Sequence, residues 1–121
     1  MTSSLIANLE KLLDSSRDGA LLRYSLGCEY LKTGQAAEAV ERFREALVRD
    51  ASFSAAWKLL GKALAENGEI DAALEAYAQG IRVAEARGDL QAAKEMGVFS
   101  RRLIKQRNGA ISTLDRRADV R

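Results

Sequence analysis

Ser54-Ala55-Ala56-Trp57-Lys58-Leu59-Leu60-Gly61-Lys62-Ala63-Leu64-Ala65-Glu66 is the stretch that decides the fold of this chain. It carries the sole tryptophan, and Trp57, Leu60, Gly61 and Leu64 recur at three- and four-residue spacing, which puts them on one face of a helix. The same pattern stands 34 residues upstream, where Leu26-Gly27 falls on Leu60-Gly61, Tyr30 on Leu64 and Gly34 on Gly68. Downstream, Ala39 falls on Ala73, Phe43 on Tyr77 and Leu47 on Ile81. Small residues meet small and large meet large, in one register, through two helices. Self-similarity at this period marks a solenoid of helix pairs.

Working outward, the spacing predicts six helices. Leu5, Ile6, Leu9, Leu12 and Leu13 form an apolar stripe over residues 5–14, with a polar break after it and Asp18 placed to cap the next helix. A second helix over 20–33 carries Leu22, Leu26, Gly27 and Tyr30 on one side and ends at Gly34. A third over 36–49 turns Ala39, Val40, Phe43, Ala46 and Leu47 inward, and the quoted stretch is the fourth, ended by Gly68. The fifth spans 70–87. A sixth over 88–107 presents Leu90, Ala93, Met96, Gly97, Leu103 and Ile104. The absence of proline removes the strongest helix breaker from the whole chain. After Asn108-Gly109 hydrophobic residues thin out, and residues 108–121 read as a flexible basic tail.

These units resemble the tetratricopeptide repeat family. Its pattern is a Trp, a Leu-Gly three residues on, a Tyr, then a later Ala, an aromatic, a second Ala and a closing Pro. In residues 20–53 the matches are Leu26, Gly27, Tyr30, Ala39, Phe43 and Ala46, with Arg23 in the Trp position and Ala51 in the Pro position. In residues 54–87 they are Trp57, Leu60, Gly61 and Ala73, with Leu64 and Tyr77 as replacements, while Gly80 and Glu85 depart from the pattern. A third unit would need Leu-Gly at 94–95, where Lys94-Glu95 stand, so residues 88–107 read as a capping helix. The expected architecture is all-α: one right-handed helical-repeat domain over residues 1–107. Gly27 and Gly61 are expected to let the backbone of the paired helix approach, with Tyr30, Phe43, Trp57 and Tyr77 filling the spaces beside the crossings.

Composition excludes several functions. With no histidine and one cysteine, the common metal sites and the Cys/His or Ser/His catalytic arrangements cannot be assembled, so no enzyme and no cofactor are expected. A single cysteine and no secretory leader point to the cytoplasm, and no apolar run approaches the ~18 residues of a membrane span. The net charge of +2 hides an asymmetry. From Val98 onward seven basic residues face Asp115 and Asp119, which leaves a mildly acidic body with a basic end. That end supports nucleic-acid or acidic-surface binding as an alternative class, weakened by the lack of interleaved aromatics beyond Phe99. Self-assembly is another alternative, because two units fall short of the three or so that repeat stacks need.

The resemblance implies a non-catalytic interaction module, an adaptor or scaffold. First helices of the repeats would line a concave groove for a peptide or helix of a protein partner. Carried over by position, the groove residues are Leu21, Tyr24, Cys28, Leu31 and Lys32, then Ala55, Lys58, Lys62, Ala65 and Glu66. Lys58 and Lys62 lie one helical turn apart and could meet one anionic group, with Tyr24 and Cys28 as an apolar floor, so an acidic or carboxylate feature is expected in the partner. The carboxylate clamp of some members would want Lys and Asn where Tyr24 and Cys28 stand. Cys28 reads as a small buried hydrophobe, although its helix surroundings and the two lysines could lower its pKa.

Overall fold

Helix ends are set by glycines in the left-handed region. Gly34 and Gly68 have φ of 75° and 80°, a conformation that costs other L-residues energy. After each, the chain closes the same pair of hydrogen bonds: Gln35 N–H donates to Tyr30 O and Gly34 N–H to Leu31 O, and Glu69 and Gly68 repeat this on Leu64 and Ala65. Gly88 makes the same closure with Asp89, so it ends a helix as its two predecessors do.

In the computed structural model the backbone is described for residues 4–119 and the side chains for residues 4–110. The elements are α1 (Ser4–Glu10), α2 (Ala20–Lys32), α3 (Ala36–Arg49), α4 (Ser54–Glu66), α5 (Ile70–Ala86) and α6 (Leu90–Asp119), with no strand among the described residues. Consecutive helices pack on one another from α2 to α6, and α4 also touches α2 and α6. That is the stacking of two helix pairs plus a further helix. The core is the inner faces of α3, α4 and α5 with Leu26 of α2 and Met96 of α6.

Several expectations are corrected. The first helix stops at Glu10 instead of residue 14, because Asp14 turns to φ 62° and its N–H donates to Asp18 Oδ2 at 2.8 Å. Of its predicted stripe only Ile6 is fully buried, and Leu5 is exposed. Asp18 does not cap α2; Gly19 stands at that end without a side-chain bond. The sixth helix runs past Arg107 through Asn108-Gly109 to Asp119, since one interior glycine costs a helix only about 1 kcal/mol and no proline follows. Of the expected tail, residues 120 and 121 lie outside the described residues. In α6, Leu90 and Ile104 are exposed, so its apolar side is only partly covered.

Gly27 and Gly61 make room for rings and not for backbone. A Cβ built on Gly27 would lie 2.6 Å from Phe43 Cε1, and one on Gly61 would lie 2.6 Å from Tyr77 Cδ1. Each first helix therefore receives the aromatic ring of its own second helix in the space where a side chain would stand. Gly80, a departure from the family pattern, is explained in the same way: its missing side chain is replaced by Met96 Sδ and the Trp57 Cβ.

Tyr30 is half-buried, and its hydroxyl donates to Glu10 Oε1, tying α1 to α2. That bond pushes the phenol up to about 12. The turn at residues 50–53, which lacks the family's proline, is held instead by a set of hydrogen bonds. Trp57 Nε1–H donates to Ala51 O at 2.9 Å, Arg87 Nη1 to Ser52 O at 2.6 Å, and Ser52 Oγ to Asp50 Oδ1 at 2.7 Å.

Arg23, in the position Trp57 holds in the next unit, is 7% exposed. It reaches Asp18 Oδ2 at 2.6 Å and Glu45 Oε1 at 2.8 Å, so a buried guanidinium joins the loop before α2 to α3. The bond from Arg23 holds the Asp18 carboxyl well below the usual carboxylate range. A depressed folded-state pKa contributes stability above the unfolded value of about 4, and that contribution disappears as pH falls through the folded value. Arg23→Ala is therefore expected to lower the melting temperature at pH 7 and to flatten its acid dependence. Melting curves of both proteins from pH 7 to pH 2 should converge; parallel curves would refute the assignment.

Candidate functional site

Two first helices and α6 stand side by side, and the shallow hollows between them merge. Cys28, Leu31 and Lys32 from α2 and Leu59, Lys62 and Glu66 from α4 line one hollow. Lys58, Leu59 and Lys62 with Tyr77 of α5 and Phe99 of α6 line the next, of about 350 Å³. Leu59 and Lys62 belong to both, so the surface is one groove crossing α4. Tyr24 and Cys28 face a third hollow toward α1, with Leu5, Leu9, Ser25 and Glu29.

The structure thus brings together Cys28, Leu31, Lys32, Lys58, Lys62 and Glu66 of the expected set. Leu21, 69% exposed, and Ala55 and Ala65 line none of these hollows. Tyr24 is less a floor than a wedge: its ring lies 4.6 Å from that of Phe53 and 5.9 Å from that of Phe43. Leu59, Glu95 and Phe99 were not foreseen. Leu59 lies four residues after Ala55 and three before Lys62, so helical spacing alone places it on the groove face.

Phe99 could not be found that way, because α6 is out of step with the repeat. Helix α5 has 17 residues where α3 has 14, and the connection after it is one residue shorter. Helix α6 therefore starts 36 residues after α4, whereas α4 starts 34 after α2. Met96-Gly97 is the counterpart of Leu60-Gly61, and Met96 is fully buried accordingly. The helix sits where the first helix of a third unit would, which carries Phe99 to the groove.

The charges are unequal along this surface. Lys58 Nζ lies 3.4 Å from Glu95 Oε2, and Lys32 Nζ 3.0 Å from Glu29 Oε2. Lys62 makes no ion pair among the described residues. The two lysines of α4 are thus not equally free to meet one anion. Burial pushes Tyr24 and Tyr77 up to about 12. Burial also pushes the Cys28 thiol up, against a hydrogen bond with Tyr24 and the charge of Lys32. The suggested lowering by Lys58 and Lys62 is not what governs this thiol; it stays protonated at neutral pH, which suits packing and not nucleophilic chemistry. Among the described residues no group of acidic or cysteine side chains could hold a metal ion. Nor is any described helix long and apolar enough to cross a membrane.

A family model of the tetratricopeptide repeat matches residues 24–89. The chain belongs to the tetratricopeptide repeat family. Over 103 residues it is 45% identical to a tetratricopeptide repeat-containing protein of Pseudomonas aeruginosa, covering 85% of this chain and 98% of that protein. A solution structure of a Bordetella parapertussis protein is 38% identical, with a TM-score of 0.76 over 87% of this chain and 91% of that one. The tetratricopeptide repeat domain of Sgt2 from Aspergillus fumigatus is 28% identical, with a TM-score of 0.72 over 85% of this chain and 68% of that one. Tetratricopeptide repeats are protein–protein interaction modules and not enzymes, and that coarse function extends to this chain.

Proposed function

We propose that this tetratricopeptide repeat chain is an adaptor that holds a peptide or helix of a protein partner in the groove across α2, α4 and α6, in the cytoplasm. The observation that carries the reading is the continuity of the groove: two apolar hollows share Leu59 and Lys62, with lysines at the rim. The partner segment lays apolar side chains over Leu31, Leu59 and Phe99 and offers an acidic group to the lysines. Apolar contact supplies most of the affinity, and the rim charges set register and exclude basic segments.

Affinity capture from the native cell, followed by calorimetry with the captured partner, tests this. The double variant Lys58→Glu/Lys62→Glu should weaken that partner about tenfold or more while the circular dichroism spectrum stays unchanged. Unchanged affinity would remove the groove from the binding surface.

A further inference from the structure

The hollow under Phe99 is more enclosed than a rim, and its reading rests on the groove reading above. Helix α4 forms one wall, Phe99 of α6 the other, and Tyr77 of α5 the floor. Tyr77 is 3% exposed, and its ring lies 6.0 Å from that of Phe99 with the planes tilted by 44°. Two packed rings and Leu59 thus bound a space of about 350 Å³, room for one large side chain with its near neighbours. Its mouth carries Lys58 and Lys62, with Glu95 standing against Lys58 and Glu66 one turn beyond Lys62.

Those charges are not interchangeable. Glu95, one turn before Phe99 on α6, stands against Lys58 at 3.4 Å. An acid approaching Lys58 meets the like charge of Glu95. Lys62 makes no ion pair among the described residues, and Glu66, one turn further along α4, lines the neighbouring hollow with it and disfavours an acid placed beyond Lys62. One position at the mouth therefore remains favourable to an anion.

We infer that the hollow is an anchor subsite for a protein segment that inserts one aromatic or branched aliphatic side chain between Leu59 and Phe99 and sets an adjacent carboxylate on Lys62. Glu95 serves as the standing counter-ion of Lys58 and so assigns the anion contact to Lys62. Helix α6 is then a wall of the site as well as a neighbour of α5.

Fragments read this directly. Amide NMR titrations of the whole chain would use 4-phenylbutyrate, 4-phenylbutanol and butyrate. The expected result is that phenylbutyrate shifts the amides of Leu59, Lys62 and Phe99 in the millimolar range, with the alcohol and butyrate several-fold weaker. Lys62→Gln should erase the preference for phenylbutyrate over phenylbutanol, and Lys58→Gln should leave it in place. Phe99→Leu, which keeps an apolar wall if Phe99→Ala does not fold, should weaken both aryl ligands together. Equal binding of the acid and the alcohol to the wild type, shifts confined to other residues, or equal effects of the two lysine variants would overturn the inference. The fragments probe the hollow alone, whereas the groove reading falls only if a captured partner ignores both lysines.

Discussion

Phe43→Ala should destabilise the chain by about 3–5 kcal/mol in urea unfolding, the range for emptying a fully buried phenylalanine site. The ring is wholly enclosed between α2 and α3, lying over Gly27 and against Tyr24. Removing it leaves a void bounded on one side by glycine, which has no side chain to move in. The coupling is testable. Gly27→Ala alone should be destabilising, because the new Cβ would fall 2.6 Å from the Phe43 ring. In the Phe43→Ala background the same change should be neutral or stabilising, since the ring is gone and alanine favours a helix by about 1 kcal/mol over glycine. Additive effects of the two changes would show that ring and glycine are not partners.

Gly61→Leu should cost about 3 kcal/mol, the upper part of the usual range for overpacking a core. The added Cβ alone would sit on the Tyr77 ring. That ring is buried and packs against Phe99 of α6, so swinging it clear would disturb the interface of α5 with α6. Gly97 provides the control. It is the counterpart of Gly61 in the shifted register of α6, but among the described residues no ring lies over it. Its nearest neighbour is Arg101 Nη1 at 3.3 Å, the end of a flexible exposed side chain. Gly97→Ala should therefore stabilise by about 0.5–1 kcal/mol, from helix propensity alone. Thermal melts of the two variants should move in opposite directions; a loss at Gly97 comparable to that at Gly61 would mean that the face is covered.

Residues 20–87 were legible because their signals are local. The patterns around Leu26-Gly27 and Leu60-Gly61 and the ends at Gly34 and Gly68 are each set by residues within a turn or two of one another, and the 34-residue register is their repetition along the chain. The same locality misled at the edges. The leucine stripe to Leu13 fits a helix by period, yet Asp14 and Asp18 turn the backbone before it is complete. Asn108-Gly109 reads as a break, yet the helix absorbs it.

The amino-acid sequence by itself determined the all-α repeat, the family pattern and the face of α4 that carries Lys58 and Lys62. Only the tertiary structure decided that Arg23 is buried between Asp18 and Glu45, that Glu95 stands on Lys58, and that Phe99 closes the groove while Leu21 stays outside it. The physical reason is the range of the forces involved. Helix periodicity and glycine caps act along the chain. A groove is made by the lateral spacing of three helices, and that spacing is set by residues such as Gly80, Trp57 and Met96, which meet only after the chain has folded back on itself.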